Sequence, residues 1–259
     1  MKISDEERQE YAQKTIPYQT KIDALWKEEA RLLGEVDKDP CLRLTLCETM
    51  LNLSSYYFIL HGLFVAICKA GNEALLLEER KCIVKSIGYL EDAVTKYVDV
   101  PFSDYENNLA AISNAPVEQR YLLAQKLSFS ITILSKALGE NSRWQWPLVE
   151  LEGRAAAVTK NLLDLKNAFA DMDPRSPAYA PMFQHILLVK RLLKSAADRY
   201  RARYEIVTNQ INDFRVAINF LYALRRIHIF LGEPDEAESL KRMIDGWNTK
   251  FDVDSKTRK

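Results

Sequence analysis

The sequence predicts an all-α protein, built as an antiparallel helical bundle or an irregular, α-solenoid-like array of helical hairpins. Of 259 residues only 8 are Gly and 9 are Pro, too few turn formers for the many short strands of a sandwich or barrel. Apolar residues recur at steps of three, four and seven along much of the chain, the spacing of one helical face. The few prolines and glycines stand where helices begin and end.

Ser4 and Glu7 have capping-box spacing, in which hydroxyl and carboxylate each satisfy an unpartnered amide at a helix start. Pro17 is expected to interrupt this first helix, because it lacks an amide and its ring collides with the preceding turn. A second helix then runs to Leu33, with Gly34 after it. Asp39 and Pro40 open a long helix over Leu42 to Ala70, ending at Gly71. Leu76, Ile83, Ile87, Leu90 and Val94 mark the next, from about Asn72 to Val98. Pro101 ends it, and Ser103 with Glu106 repeats the capping-box spacing for a short helix. Asn114 and Pro116 open a helix reaching Leu138 before Gly139. Asn141 to Trp146 reads as a connection and Pro147 to Ala170 as a helix. Asp173, Pro174, Pro177 and Pro181 form the densest proline cluster, which divides the chain into regions 1–172 and 177–259, expected to pack as one continuous helical domain.

Between Pro181 and Gly232 there is neither proline nor glycine. Val189, Leu193, Ala196, Tyr200, Tyr204, Val207, Ile211, Phe214, Ile218 and Leu221 keep helical phase throughout. An unbroken helix from Met182 to Leu231 would stretch about 75 Å, long for a domain of this size, so a turn is expected in the polar run Thr208–Asp213. Glu233 and Pro234 start a last helix carrying Ala237, Leu240, Ile244 and Trp247, and the tail after Asp252 is expected to fray.

Leu33-Gly34-Glu35, Leu138-Gly139-Glu140 and Leu231-Gly232-Glu233 each close a predicted helix, and Pro40, Pro147 and Pro234 follow them. The last, continuing Pro234-Asp235-Glu236-Ala237, resembles the turn of a tetratricopeptide-type hairpin. The likeness covers that turn alone and departs from the period of roughly 34 residues such arrays keep. Glycine caps of ordinary helices explain the recurrence more simply.

Lys plus Arg and Asp plus Glu are both 36, so no net field draws the whole molecule to nucleic acid or an anionic membrane. Cys41, Cys47, Cys68 and Cys82 include no Cys-x-x-Cys pair and read as reduced core residues. The acidic, polar start, Met1 to Glu7, lacks the basic and apolar segments of a signal peptide, and a cytoplasmic location is expected. Thr49 to Cys68 carries no formal charge and is long enough to cross a bilayer. Asn52, Ser54, Ser55, His61, Tyr56 and Tyr57 within it favour a central core helix over a membrane span.

No cofactor, metal set or catalytic constellation is read from the chain. Phe58, Met182 and Arg225 stand three residues before His61, His185 and His228, so no Glu-x-x-His pair exists, and the histidines read as core or boundary residues satisfied by hydrogen bonds. Cys41 and Cys47 fall about 120° apart on a helix. Gly-rich phosphate loops and the Gly-x-Ser-x-Gly elbow are absent. Asp171 and Asp173 fit capping and turn formation better than metal binding.

Two features remain as candidate sites. Lys190, Arg191, Lys194, Arg199, Arg201 and Arg203 stand against Asp198 alone within fourteen residues, interleaved with Tyr200 and Tyr204. Such a helix suits RNA, another polyanion or an acidic protein partner, or simply forms a solvated face. Trp144 and Trp146 place two indoles in a connection, where they either seal the bundle or contact a protein partner. The expected function is a non-catalytic scaffold or adaptor binding a protein partner through a groove between hairpins. The alternatives are RNA or polyanion binding through residues 190–203, and an enzyme with a cavity between helices. A second copy of the chain is also an open partner, and a membrane is not the expected one.

Overall fold

The structure, a computed structural model, describes residues 3–139 and 142–257. Among these the chain is all-α, with ten α-helices and no strand. They are α1 (Asp5–Leu33), α2 (Leu42–Cys68), α3 (Glu73–Ala93), α4 (Glu106–Ala111), α5 (Val117–Leu138), α6 (Gln145–Asn161), α7 (Ala168–Asp171), α8 (Tyr179–Arg203), α9 (Ile211–Phe230) and α10 (Pro234–Thr257). The expectations for Glu140 and Asn141 lie outside the described residues. Two compact units form: Met1–Val94 with Asn108–Gln145, and Thr95–Asn107 with Trp146–Lys259.

In the first unit α2 is the central element, packed by α1, α3 and α5. The capping box at Ser4 and Glu7 closes as expected. Pro17, however, lies inside an unbroken α1. A mid-helix proline costs about 3 kcal/mol, and the packed stretch beyond it, with Ile22 and Leu32 buried and Leu25 and Trp26 against the cluster of Ile22, Met50, Leu53, Leu60 and Cys82, outweighs that loss. Helix α2 starts two residues after Pro40, with Asp39 Oδ1 accepting from the Cys41 amide at 2.9 Å. It stops at Cys68, ahead of Gly71, because Lys69 already takes the left-handed conformation at φ +52°. By length and composition α2 could cross a bilayer. Here Leu44, Leu46, Cys47, Met50 and Leu53 are fully buried, while Ile59 and Val65 face outward.

Helix α3 ends at Ala93, five residues before the expected Val98, because distant side chains capture the carbonyls that follow. Asn108 Nδ2 donates to the Val94 carbonyl at 2.7 Å. Asn161 Nδ2 donates to Thr95 and Tyr97, at 2.8 and 3.0 Å, and Lys160 Nζ to Val98 at 3.0 Å. The capping box expected at Ser103 does not form. The Ser103 hydroxyl turns to Asp104 in a 3-10 turn, and Glu106, paired with Lys166 at 2.8 Å, becomes the first residue of α4. Helix α5 follows Pro116 and ends at Gly139, whose φ of +86° suits glycine.

In the second unit α9 lies between α8 and α10. Helix α6 begins before Pro147 and ends at Asn161, nine residues short of Ala170. Asp164 then accepts from the amides of Lys166 and Asn167 and forms a turn instead. The break in the long helical run falls where the polar residues cluster. Residues Tyr204–Thr208 make a π-turn, Asn209 is left-handed at φ +49°, and Gln210 precedes α9. Val207, counted with the apolar stripe from sequence, is turned outward by this bulge, as is Ile206. Gly232, at φ +70°, links α9 to α10, and α10 stays helical to Thr257 where fraying was expected.

Candidate functional site

Helix α8 carries the basic run, and the second unit supplies a carboxylate to five of its six cations. Lys190 Nζ lies 2.6 Å from Glu233 and Lys194 Nζ 2.9 Å from Asp198. Arg199 Nε is 3.0 Å from Glu152, and Arg201 Nε 3.0 Å from Glu205 with its guanidinium over the Trp247 ring. Arg203 is paired with Asp213 and lies over the Tyr200 ring. Tyr200 and Tyr204 are buried in the core, where Tyr204 stacks on Phe214 with centroids 5.0 Å apart. Arg191 is exposed and has no carboxylate partner among the described residues.

Arg191 also ends a row that sequence reading did not single out. Tyr179, Phe183, Leu187 and Arg191 follow one another at four-residue steps, one ridge of the α8 surface. Phe183 is 40% exposed and Leu187 44%. The Tyr179 and Phe183 rings stack at 6.0 Å and 15°. Helix α7, packed on α8, adds Phe169, 62% exposed, with its ring 4.7 Å from that of Phe230. The four-residue spacing was readable in the sequence, but the stripe from Val189 to Leu221 has the same periodicity and is mostly buried.

Trp144 and Trp146 are both half-buried. The Trp144 indole N–H donates to Glu73 Oε1 at 2.7 Å, and the Arg80 and Arg143 guanidinium groups lie over its ring. Those hydrogen bonds from Trp144 and Arg143 hold the Glu73 carboxyl below its ordinary range. Trp146 is already helical, in the first turn of α6, not in a connection.

The histidines differ from one another. His185 is buried with Nε2 2.9 Å from the Thr159 carbonyl, and His228 Nδ1 is 2.6 Å from Glu233. His61 was expected to be satisfied by a hydrogen bond. It instead stands without one among the described residues, at the wall of a cavity of about 310 Å³ shared with Asn72, Glu73 and Trp144. Burial holds its imidazole below the usual range. Asp173 serves the turn expected of it, accepting from the Arg175 amide at 2.9 Å and pairing with its guanidinium.

The model of the TP0443 family matches residues 7–255 of the chain. No curated protein and no solved structure matches it.

Proposed function

The chain belongs to the TP0443 family, a membership that brings no reaction with it, and we propose that it is a non-catalytic helical interaction module. Its docking surface is the α8 ridge, and its partner is a protein presenting an amphipathic helix with a carboxylate beside its apolar face. The observation that carries this reading is the pairing of an outward apolar row, Tyr179, Phe183 and Leu187, with one exposed cation, Arg191, that has no carboxylate partner among the described residues.

A ridge of residues four apart packs between the ridges of a second helix at about −50°. Burying each half-exposed side chain contributes about 1 kcal/mol before the cost of association. Arg191 fixes register, because a misplaced partner leaves its charge unmatched. The pairing of the other five cations weighs for a protein and against RNA, since phosphates would have to displace Glu233, Glu152 and Asp213 from them.

The test places a photo-cross-linking phenylalanine analogue at position 183 in the native cell. The expected product joins this chain to an Asp- or Glu-bearing helical segment of one other protein, and is lost with Arg191→Glu. Cross-links to RNA, to other copies of this chain alone, or to a partner whose capture ignores Arg191→Glu would overturn the proposal.

A further inference from the structure

The cavity of about 310 Å³ beside His61 lies within the first unit, where α2, α3 and α5 pack on one another. His61 comes from α2, and it is only 9% exposed. Its imidazole has no hydrogen-bond partner among the described residues, although a buried polar side chain ordinarily has one. Burial is the one influence that shifts it, downward, so the ring is uncharged at neutral pH. A neutral imidazole keeps one N–H to donate and one lone pair to accept.

The other polar groups of the lining are already matched. Glu73 accepts from Arg143 Nη2 at 2.5 Å and from the Trp144 indole at 2.7 Å. Asn72 Oδ1 caps α3 by accepting from the Leu75 amide at 3.3 Å, and the Ser142 hydroxyl accepts from the Trp144 amide at 3.3 Å. Arg80 stands against the Trp144 ring and is not part of the lining. The rim joins the start of α3 to the end of α5, whose partial charges are of opposite sign and leave no net preference for an ion. Leu76, Ala137 and Leu138 give an apolar wall. Among the described lining residues, therefore, no charge is left over, and one buried polar ring is left unanswered. The volume is at the lower end of the range of small-molecule pockets.

We infer that this cavity binds a small uncharged molecule with an apolar ring and a hydroxyl or amide group, the ring against Leu76, Ala137 and Leu138 and the polar group hydrogen-bonded to the His61 imidazole. A hydroxyl or a primary amide both donates and accepts, so it answers either imidazole tautomer. A carboxylate or an ammonium group would leave water for a site with no opposite charge to spare. The site shares no residue with the α8 ridge and does not depend on docking there.

The test uses the full chain and five probes of similar size, benzyl alcohol, benzamide, toluene, benzoate and benzylammonium, titrated at neutral pH and followed by proton–nitrogen correlation spectra of the imidazoles. Benzyl alcohol and benzamide should bind and shift the His61 ring nitrogens. Toluene should bind about fivefold more weakly, the effect of losing one neutral hydrogen bond, and the two ions at least about tenfold more weakly. His61→Leu should weaken the alcohol and the amide about fivefold and leave toluene unchanged. Ala137→Phe, which fills the cavity, should abolish binding, and if that variant fails to fold, His61→Leu decides. No binding of the alcohol or the amide, equal binding of either ion, or undiminished binding of the alcohol and amide by a His61→Leu chain that melts like the native one would overturn the inference.

Discussion

Arg203 and Asp213 clasp the π-turn that separates α8 from α9, with Nη2 2.5 Å from Oδ1 and Nε 3.1 Å from Oδ2. The Thr208 hydroxyl donates to the same carboxylate at 2.6 Å. Their side chains are 16% and 7% exposed, so removing one leaves the other charge buried and unmatched. Asp213→Ala is expected to lower the unfolding free energy by about 3 kcal/mol, and Asp213→Leu with Arg203→Met by less. Urea denaturation checks this, and a loss for Asp213→Ala no larger than that of an exposed pair, about 0.5 kcal/mol, would show that the clasp is not what holds the turn.

Gly153 sits inside α6, where alanine would gain about 1 kcal/mol from helix propensity alone. The contact its Cβ would make with Tyr200, at 2.5 Å, reverses the sign. Gly153→Ala should destabilise the chain by about 1 to 3 kcal/mol, the usual cost of overpacking. A raised melting temperature would contradict the close approach of α6 and α8.

Burial lowers the Lys160 amine to about 8. Between pH 8 and the ordinary lysine range, the unfolded chain therefore binds more protons than the folded one, and stability rises with pH. The penalty is fully present below pH 8. Tyr105, whose ring lies 5.2 Å from the amine, is pushed up by its own burial and stays neutral across this window. Stability of the native chain relative to Lys160→Met should climb by about 3 kcal/mol at most from pH 7.5 to 10.5. A flat difference in urea titrations would contradict it.

Glu79 gives the opposite slope. It is fully buried on α3, neither carboxylate oxygen has a hydrogen-bond partner among the described residues, and burial raises it to about 8. From pH 4.5 to 8 the folded chain keeps a proton that the unfolded chain releases, so stability falls as pH rises. Glu79→Met should be more stable than the native chain at pH 8, and its advantage should shrink by about 4 kcal/mol at most on acidification to pH 4.5. Parallel stability curves would rule this out.

What could be read from the sequence was local chemistry. The capping box at Ser4 and Glu7, the start after Pro116, and the ends at Gly139 and Gly232 each depend on neighbours within a turn. The break near Asn209 followed from a cluster of polar residues. What could not be read depends on contacts between distant residues. The early end of α3 rests on Lys160 and Asn161, more than sixty residues away. Pro17 is carried by packing that composition does not reveal. The basic run was visible, but the carboxylates paired with Lys190 and Arg199 lie 43 and 47 residues from them. Only the folded chain separates Arg191 from the five cations that are already satisfied.

Docking on the α8 ridge is tested most directly by a charge exchange with the partner helix that the cross-link at position 183 identifies. Arg191→Glu should weaken its binding about tenfold or more, and changing the opposing carboxylate to lysine in the partner should restore it. Affinity unchanged by both Arg191→Glu and Phe183→Ser, or a loss that the exchanged partner fails to rescue, would contradict a protein helix seated on Tyr179, Phe183, Leu187 and Arg191.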